Sequence, residues 1–289
     1  MRSEHEILDL IIHTAKNDNR IRAVIMNGSR ANPNAPRDFF QDFDIVFFVT
    51  ETAPFVRNFD WIKRFGKLMI LQTPEDMQDH PPGEGEFYSY LMQFTDGTRI
   101  DLGILPISKI KERTKDSLSL LLLDKDGIIP HLPPPSEQDY LPKPPTEKAF
   151  NNCCNEFWWV CPYAAKGLWR REIIYAKHML DDAVREQLNK MLNWYIGIKT
   201  GFKKNPGKCG KYYERYLEPE LWHLLLRTYA DAGYENTWEA MFAMCDLFRK
   251  LAIPVADQFD YQYPYKDDHN VCSHLRHVYT LPGDASEMY

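Results

Sequence analysis

Seven of the residues from 130 to 145 are proline, and the chain has a different texture on each side of them. Proline fixes φ and lacks an N–H, so a run this dense enters neither a helix interior nor the middle of a sheet. The stretch 130–145 is expected to be an extended linker. It would divide a first domain over 1–135 from a second over 146–265, with 266–289 as a loose polar tail. Before the linker, apolar residues alternate with period two, and strands are expected over 20–26, 42–49, 68–72, 88–94 and 98–106. The last two are joined by a turn at Asp96-Gly97. Ser3-Glu4-His5-Glu6 reads as a capping box that opens a helix carrying Ile7, Leu8, Ile11 and Ile12. The leucine-rich 117–123 reads as a short helix. After the linker, helical spacing appears over 146–170, 171–201, 218–232 and 236–259, and Pro162 should kink the first of these. The fold class is α+β: an N-terminal α/β domain followed by a C-terminal helical bundle.

The formal charge of −6 argues against a general nucleic-acid binder, which gains affinity by neutralising phosphates. No run of about 18 apolar residues is present, so no membrane span is expected. The N-terminal residues lack a secretory apolar core, which makes the cytoplasm the default location. The six cysteines include no Cys-x-x-Cys pair and do not resemble a disulfide framework.

The chemistry concentrates on a few acids. In a strand, Asp42 and Asp44 point to one face about 6–7 Å apart, while Phe43, Ile45, Phe47 and Val49 point to the other. Like charges so placed call for a cation, and Mg²⁺ favours carboxylates together with substrate phosphates. Two ions about 3.5–4 Å apart would suit the pair. Asp101 lies opposite the apolar face of Ile100, Leu102 and Ile104. It is either a third metal ligand or the base that takes a hydroxyl proton. Gly28-Ser29 follows the first strand, where a glycine lets backbone N–H groups approach a phosphate and a serine hydroxyl can donate to it. Together these are parts for in-line transfer at a phosphorus atom of a nucleoside triphosphate. No Gly-x-Gly-x-x-Gly loop precedes a strand lysine and no His-Arg-Asp occurs, so a protein-kinase reading is weak.

The pattern Gly28-Ser29, twelve residues, Asp42-Phe43-Asp44, then Asp101 resembles the DNA-polymerase-β-type nucleotidyltransferase superfamily. Within it, the chain resembles the aminoglycoside 6-adenylyltransferases, which modify streptomycin. The matching stretches include Asp18-Asn19-Arg20-Ile21-Arg22, Gly28-Ser29-Arg30, Phe40-Gln41-Asp42-Phe43-Asp44-Ile45, Leu123-Asp124-Lys125-Asp126, Cys153-Cys154-Asn155-Glu156-Phe157-Trp158 and Leu247-Phe248-Arg249-Lys250, and the likeness runs to about residue 265. The resemblance implies a mixed sheet in the catalytic domain and transfer of AMP from ATP to the streptomycin 6-hydroxyl, with pyrophosphate released. It further implies that Asp42 and Asp44 hold Mg²⁺, that Gly28 and Ser29 bind the triphosphate, and that Arg30 assists with charge. The helical domain would close over the nucleotide and supply the drug site. Alternatives are transfer to another small molecule, a protein or an RNA end, and a binding module without turnover.

Secondary candidates lie in the helical part. Glu156 and Trp159 would form an acidic-aromatic wall for a guanidinium-bearing ligand, with Lys166 reaching a phosphate. A core helix with a solvated lysine is the plainer alternative. Tyr212 would stack on adenine with Lys211 on phosphate, against a basic loop and a packing tyrosine. Asp181-Asp182 reads as a solvated helix face. His269, Cys272, His274 and His277 suggest zinc, but their spacing fits no finger pattern.

Overall fold

The computed structural model describes residues 2–77 and 86–289. The chain divides into two compact units, Met1–Asp139 and Tyr140–Tyr289.

The first unit opens with α1 (Glu4–Asn17), where the capping box is present: Ser3 Oγ accepts from the Glu6 N–H, and Glu6 Oε2 accepts from the Ser3 N–H. Then come β1 (Ile21–Asn27), the four-residue α2 (Gly28–Ala31), β2 (Phe43–Val49), the short α3 (Ala53–Val56), β3 (Leu68–Gln72), β4 (Tyr88–Phe94), β5 (Arg99–Pro106), the short α4 (Ile110–Arg113) and β6 (Leu120–Asp124). The sheet order is β3-β4-β5-β2-β1-β6. The β2–β5 pair is parallel and the other pairings are antiparallel, so the sheet is mixed. Alternation along β2 and β5 gives each a principal buried face. Phe43, Ile45, Phe47 and Val49 join Ile100, Leu102, Ile104 and the α1 residues Ile7, Ile11 and Ala15 in one apolar cluster. Val46, Phe48 and Leu105, on the opposite face, join a smaller cluster with Ala23, Ile25 and Ile110. The polar ends Asp44 and Asp101 thus stand where each strand emerges from packing.

The leucine run expected to be a short helix is instead strand β6, paired to β1 from Met26–Leu120 to Ala23–Asp124. Leucine favours helix locally, but the unpaired backbone edge of β1 offers a ladder that overrides so weak a preference. From 130 to 145 the chain carries one 3-10 turn, Gln138–Tyr140. Ser117 and Asp139 bond reciprocally there, and Glu137 accepts from Asn32 and Asn34.

The second unit is helical: α5 (Glu147–Trp169), α6 (Ile173–His178), α7 (Arg185–Thr200), α8 (Tyr213–Tyr216), α9 (Pro219–Arg227), α10 (Tyr234–Phe259) and α11 (Tyr265–Thr280). Helix α5 continues through Pro162 as one element. The single helix expected over 171–201 is interrupted by a π-helical turn, Met179–Val184, and ends at Gly201 in the left-handed region. Phe157 stacks on Phe248 at 3.7 Å between ring centroids, with Trp158 edge-on to Phe248, inside a core drawn wholly from this unit. The expected loose tail is largely α11, anchored by buried Leu275, Val278 and Asp268. Asp268 accepts two 2.6 Å bonds from Arg249 and one from the Tyr263 hydroxyl. No helix among the described residues is long and apolar enough to cross a membrane.

Candidate active site

The sheet topology brings the acids together. In register, Asp44 of β2 lies beside Asn27 of β1 on one side and Asp101 of β5 on the other. The chain leaves β1 at Gly28, whose φ is +71°. A Cβ there would stand 2.2 Å from Asp44 Oδ2. Only glycine combines this left-handed turn with contact against the carboxylate. Ser29 follows, its carbonyl accepting from Gln41 Nε2 at 3.2 Å.

Arg30 turns inward. It is 7% exposed, donates to Glu4 Oε2 and to the Gln41 carbonyl at 2.8 Å each, and lies 3.8 Å above the Phe43 ring. Burial pushes its pKa down, opposed by Glu4. Its observed contacts clamp α1, the Gly28-Ser29 turn and the start of β2 to one another.

Asp42 precedes β2 directly. Burial raises its pKa, Arg99 opposes the rise, and Asp101 adds to it. Arg99 is the residue that the motif reading missed. Its guanidinium grips Asp101 with two 2.9 Å bonds, Nε to Oδ1 and Nη2 to Oδ2, and its Nε is also 3.5 Å from Asp42 Oδ2. The Asp101 bonds raise the Arg99 pKa. Period two was the available signal, because Arg99 and Asp101 share a strand face.

The donor set fits a hard divalent cation. Asp42, Asp44 and Asp101 stand at the N-terminal ends of the central strands β2 and β5, Arg99 lies between Asp42 and Asp101, and burial disfavours the charge on Asp42. Among the described residues, no three His, Cys, Asp or Glu side chains are grouped so as to hold a metal ion alone. Any cation held here would draw its remaining ligands from water and substrate.

The other candidates lie in the helical unit. Glu156 and Trp159, expected to share one wall, line different cavities flanking α5. Lys166 Nζ sits 4.9 Å from the Tyr163 ring centroid, in a further cavity with Trp169 and Arg170. The Tyr212 ring is flanked by Arg215 at 4.1 Å and Lys211 at 5.0 Å. Asp181 pairs with Lys177 and Arg185, and Asp182 with His178. His274 and His277 face Tyr289, which bonds the first and stacks on the second.

A model of the family described as Streptomycin adenylyltransferase matches residues 1–278, running past residue 265 into α11. An aminoglycoside 6-adenylyltransferase of Campylobacter jejuni is 47% identical over 269 residues, covering 93% of each chain. One from Bacillus subtilis (strain 168) is 41% identical over 93% of this chain and 95% of its own. One from Staphylococcus aureus is 36% identical over 96% of this chain and 99% of its own. The acid-bearing edge of the mixed sheet thus occurs in a chain matched over nearly its whole length, and that chain belongs to the streptomycin adenylyltransferase family of nucleotidyltransferases.

Proposed function

We propose that the protein transfers AMP from ATP to a hydroxyl of an aminoglycoside antibiotic, streptomycin at its 6-position, and so confers resistance to the drug. The observation that carries this reading is the register that sets Asp44 beside Asp101, with Gly28 against the Asp44 carboxylate. Relatives named aminoglycoside 6-adenylyltransferase support it.

The hydroxyl oxygen attacks the α-phosphorus in line. A new P–O bond forms, the bond from that phosphorus to the bridging oxygen breaks, and pyrophosphate leaves. Gly28 and Ser29 grip the triphosphate through backbone N–H groups and the serine hydroxyl. Asp42 and Asp44 would hold Mg²⁺, two ions in this reading, which neutralises phosphate charge when bound. Asp101 receives the hydroxyl proton, and Arg99 fixes the orientation of its carboxylate. Arg30 positions the Gly28-Ser29 turn rather than touching substrate. In the helical unit, Lys166, Lys211 and Tyr212 are assigned to the nucleotide, and Glu156 and Trp159 to the drug.

The test is mass spectrometry of streptomycin after incubation with protein, ATP and Mg²⁺, beside Asp42→Asn and Asp44→Asn. A product heavier by one adenylyl group, lost in both variants, is expected. Full activity in both variants would sink the metal-carboxylate reading. ATP binding with no adduct would point to a different acceptor.

A further inference from the structure

The antiparallel ladder between β1 and β2 ends at the pair Asn27–Asp44. Ser29 and Asp42 each lie two residues beyond it, one past the end of β1 and the other before the start of β2. The ladder between β2 and β5, which begins at Phe43–Ile100, includes neither residue. The chain from 32 to 42 that joins them has no helix or strand, and its later part leaves Phe39 and Phe40 exposed, so packing does not fix it. The turn assigned to the triphosphate and the carboxylate assigned to its cation therefore need a tie that the sheet does not provide.

Gln41 provides one. Its Nε2 donates to the Ser29 carbonyl at 3.2 Å, and its own carbonyl accepts from Arg30 Nη2 at 2.8 Å. The next residue is Asp42. Side chain and main chain of one residue thus engage Ser29 and Arg30, and the backbone then runs directly into the carboxylate. A peptide group is planar and moves as one body, so the bond to the Ser29 carbonyl also sets the Arg30 N–H.

Packing alone does not account for a glutamine at this position. Gln41 Oε1 is buried and accepts no hydrogen bond among the described residues, and Arg30 Nε is likewise buried without an acceptor. An unpaired buried polar atom is costly, and an apolar side chain of similar length would avoid that cost. What the glutamine adds is its donor end, and residues that break a local rule in this way collect at functional sites.

We infer that Gln41 is a positioning residue for the transfer, holding the Gly28-Ser29 turn in register with Asp42. It acts through Ser29 rather than on substrate. This rests on the nucleotidyl-transfer reading above and adds to it the residue that couples the two parts of the nucleotide site.

The experiment is steady-state transfer kinetics with streptomycin, ATP and Mg²⁺ for the wild type, Gln41→Met, Gln41→Glu, Ser29→Ala, and Ser29→Ala combined with Gln41→Met. Thermal unfolding and the affinity for ATP, measured by calorimetry without streptomycin, run beside it. Gln41→Met keeps the length and removes both amide ends. It should raise the ATP KM about fivefold, the loss of one neutral hydrogen bond, with the streptomycin KM and the melting temperature unchanged. Gln41→Glu sets a second acceptor against the Ser29 carbonyl and should lose more. A residue that only fills space would leave both variants near wild type, because both keep its length. With Ser29→Ala already present, Gln41→Met should cost less than it does alone, as expected of a residue acting through Ser29. ATP KM and affinity within twofold of wild type in both Gln41 variants would overturn the inference. So would a combined loss equal to the product of the single losses, or an equal rise in both KM values with a lower melting temperature. A wild type that binds ATP in a Gln41-dependent way but forms no adduct would refute transfer to streptomycin and leave the positioning role standing. A wild type that binds no ATP would refute both.

Discussion

Replacing Gly28 with alanine separates two costs. The backbone φ of +71° is left-handed, and an alanine there costs about 1–2 kcal/mol. For a unit of this size, that lowers the melting temperature by roughly 4–8 °C. The second cost falls on the site. The new Cβ would lie 2.2 Å from Asp44 Oδ2, where ordinary contact begins at 3.4 Å. The carboxylate must retreat by about 1 Å, a displacement that typically lowers turnover about 10²-fold. Gly127→Ala is the matched control, because Gly127 also has positive φ, +64°, but nothing stands within 4 Å of its Cβ position. Pyrophosphate release with ATP, Mg²⁺ and streptomycin, together with thermal unfolding, reads both costs. The two variants should melt at similar temperatures, and only Gly28→Ala should lose turnover. Gly28→Ala within threefold of wild type, or Gly127→Ala losing as much activity, would refute the assigned role of the glycine.

Arg99→Gln removes the cation between Asp42 and Asp101, so added Mg²⁺ should raise the melting temperature more in this variant than in wild type, while kcat falls; equal Mg²⁺ shifts would argue against a shared charge balance. Asp268→Asn weakens a part-buried pair with Arg249 and should cost about 2 kcal/mol, seen as a melting temperature lower by roughly 6 °C. The Asp96 carboxyl offers a pH test. Burial pushes its pKa up, but hydrogen bonds from Arg2 and the Thr98 N–H prevail and bring it to about 2, from 3.8. A depressed carboxyl contributes stability above the unfolded pKa and loses it as pH falls through the folded one. Arg2→Gln should therefore be less stable than wild type at pH 6, with part of the gap closing between pH 4 and pH 2 in denaturant titrations.

The sequence pattern located the strand edges well where one face is buried. In β2 and β5 the apolar residues sit at every second position, so Asp44 and Asp101 had to point away from the same cluster. The Ser3–Glu6 cap was legible because its two bonds span three residues. The parallel pairing of β2 with β5 was not, because nothing local to either strand names its partner across the intervening residues 50–98. Strand β6 was missed for the same reason, its conformation being set by the open edge of β1. Helix α11 was masked by its polar composition. Its anchor, Asp268, is buried only because Arg249 of another helix neutralises it, yet the spacing Asp268, Val271, Leu275, Val278 carried the stripe of a packed helix. Arg99 belongs to no motif, and only its i, i+2 place beside Asp101 on one strand face marked it.

Among the described residues, the sheet's clusters are drawn from residues 7–132 and the helical core from 150–278. Selection can therefore act on them separately. An exchange among the helical core residues leaves the residues packed behind Asp44 and Asp101 unchanged, and the reverse holds. On the proposed function, a lineage meeting a new drug would have a short mutational route through the helical unit that leaves the phosphorus chemistry as inherited. It also has two independent ways to fail, so losses of resistance should sort into variants that still handle ATP and variants that no longer do.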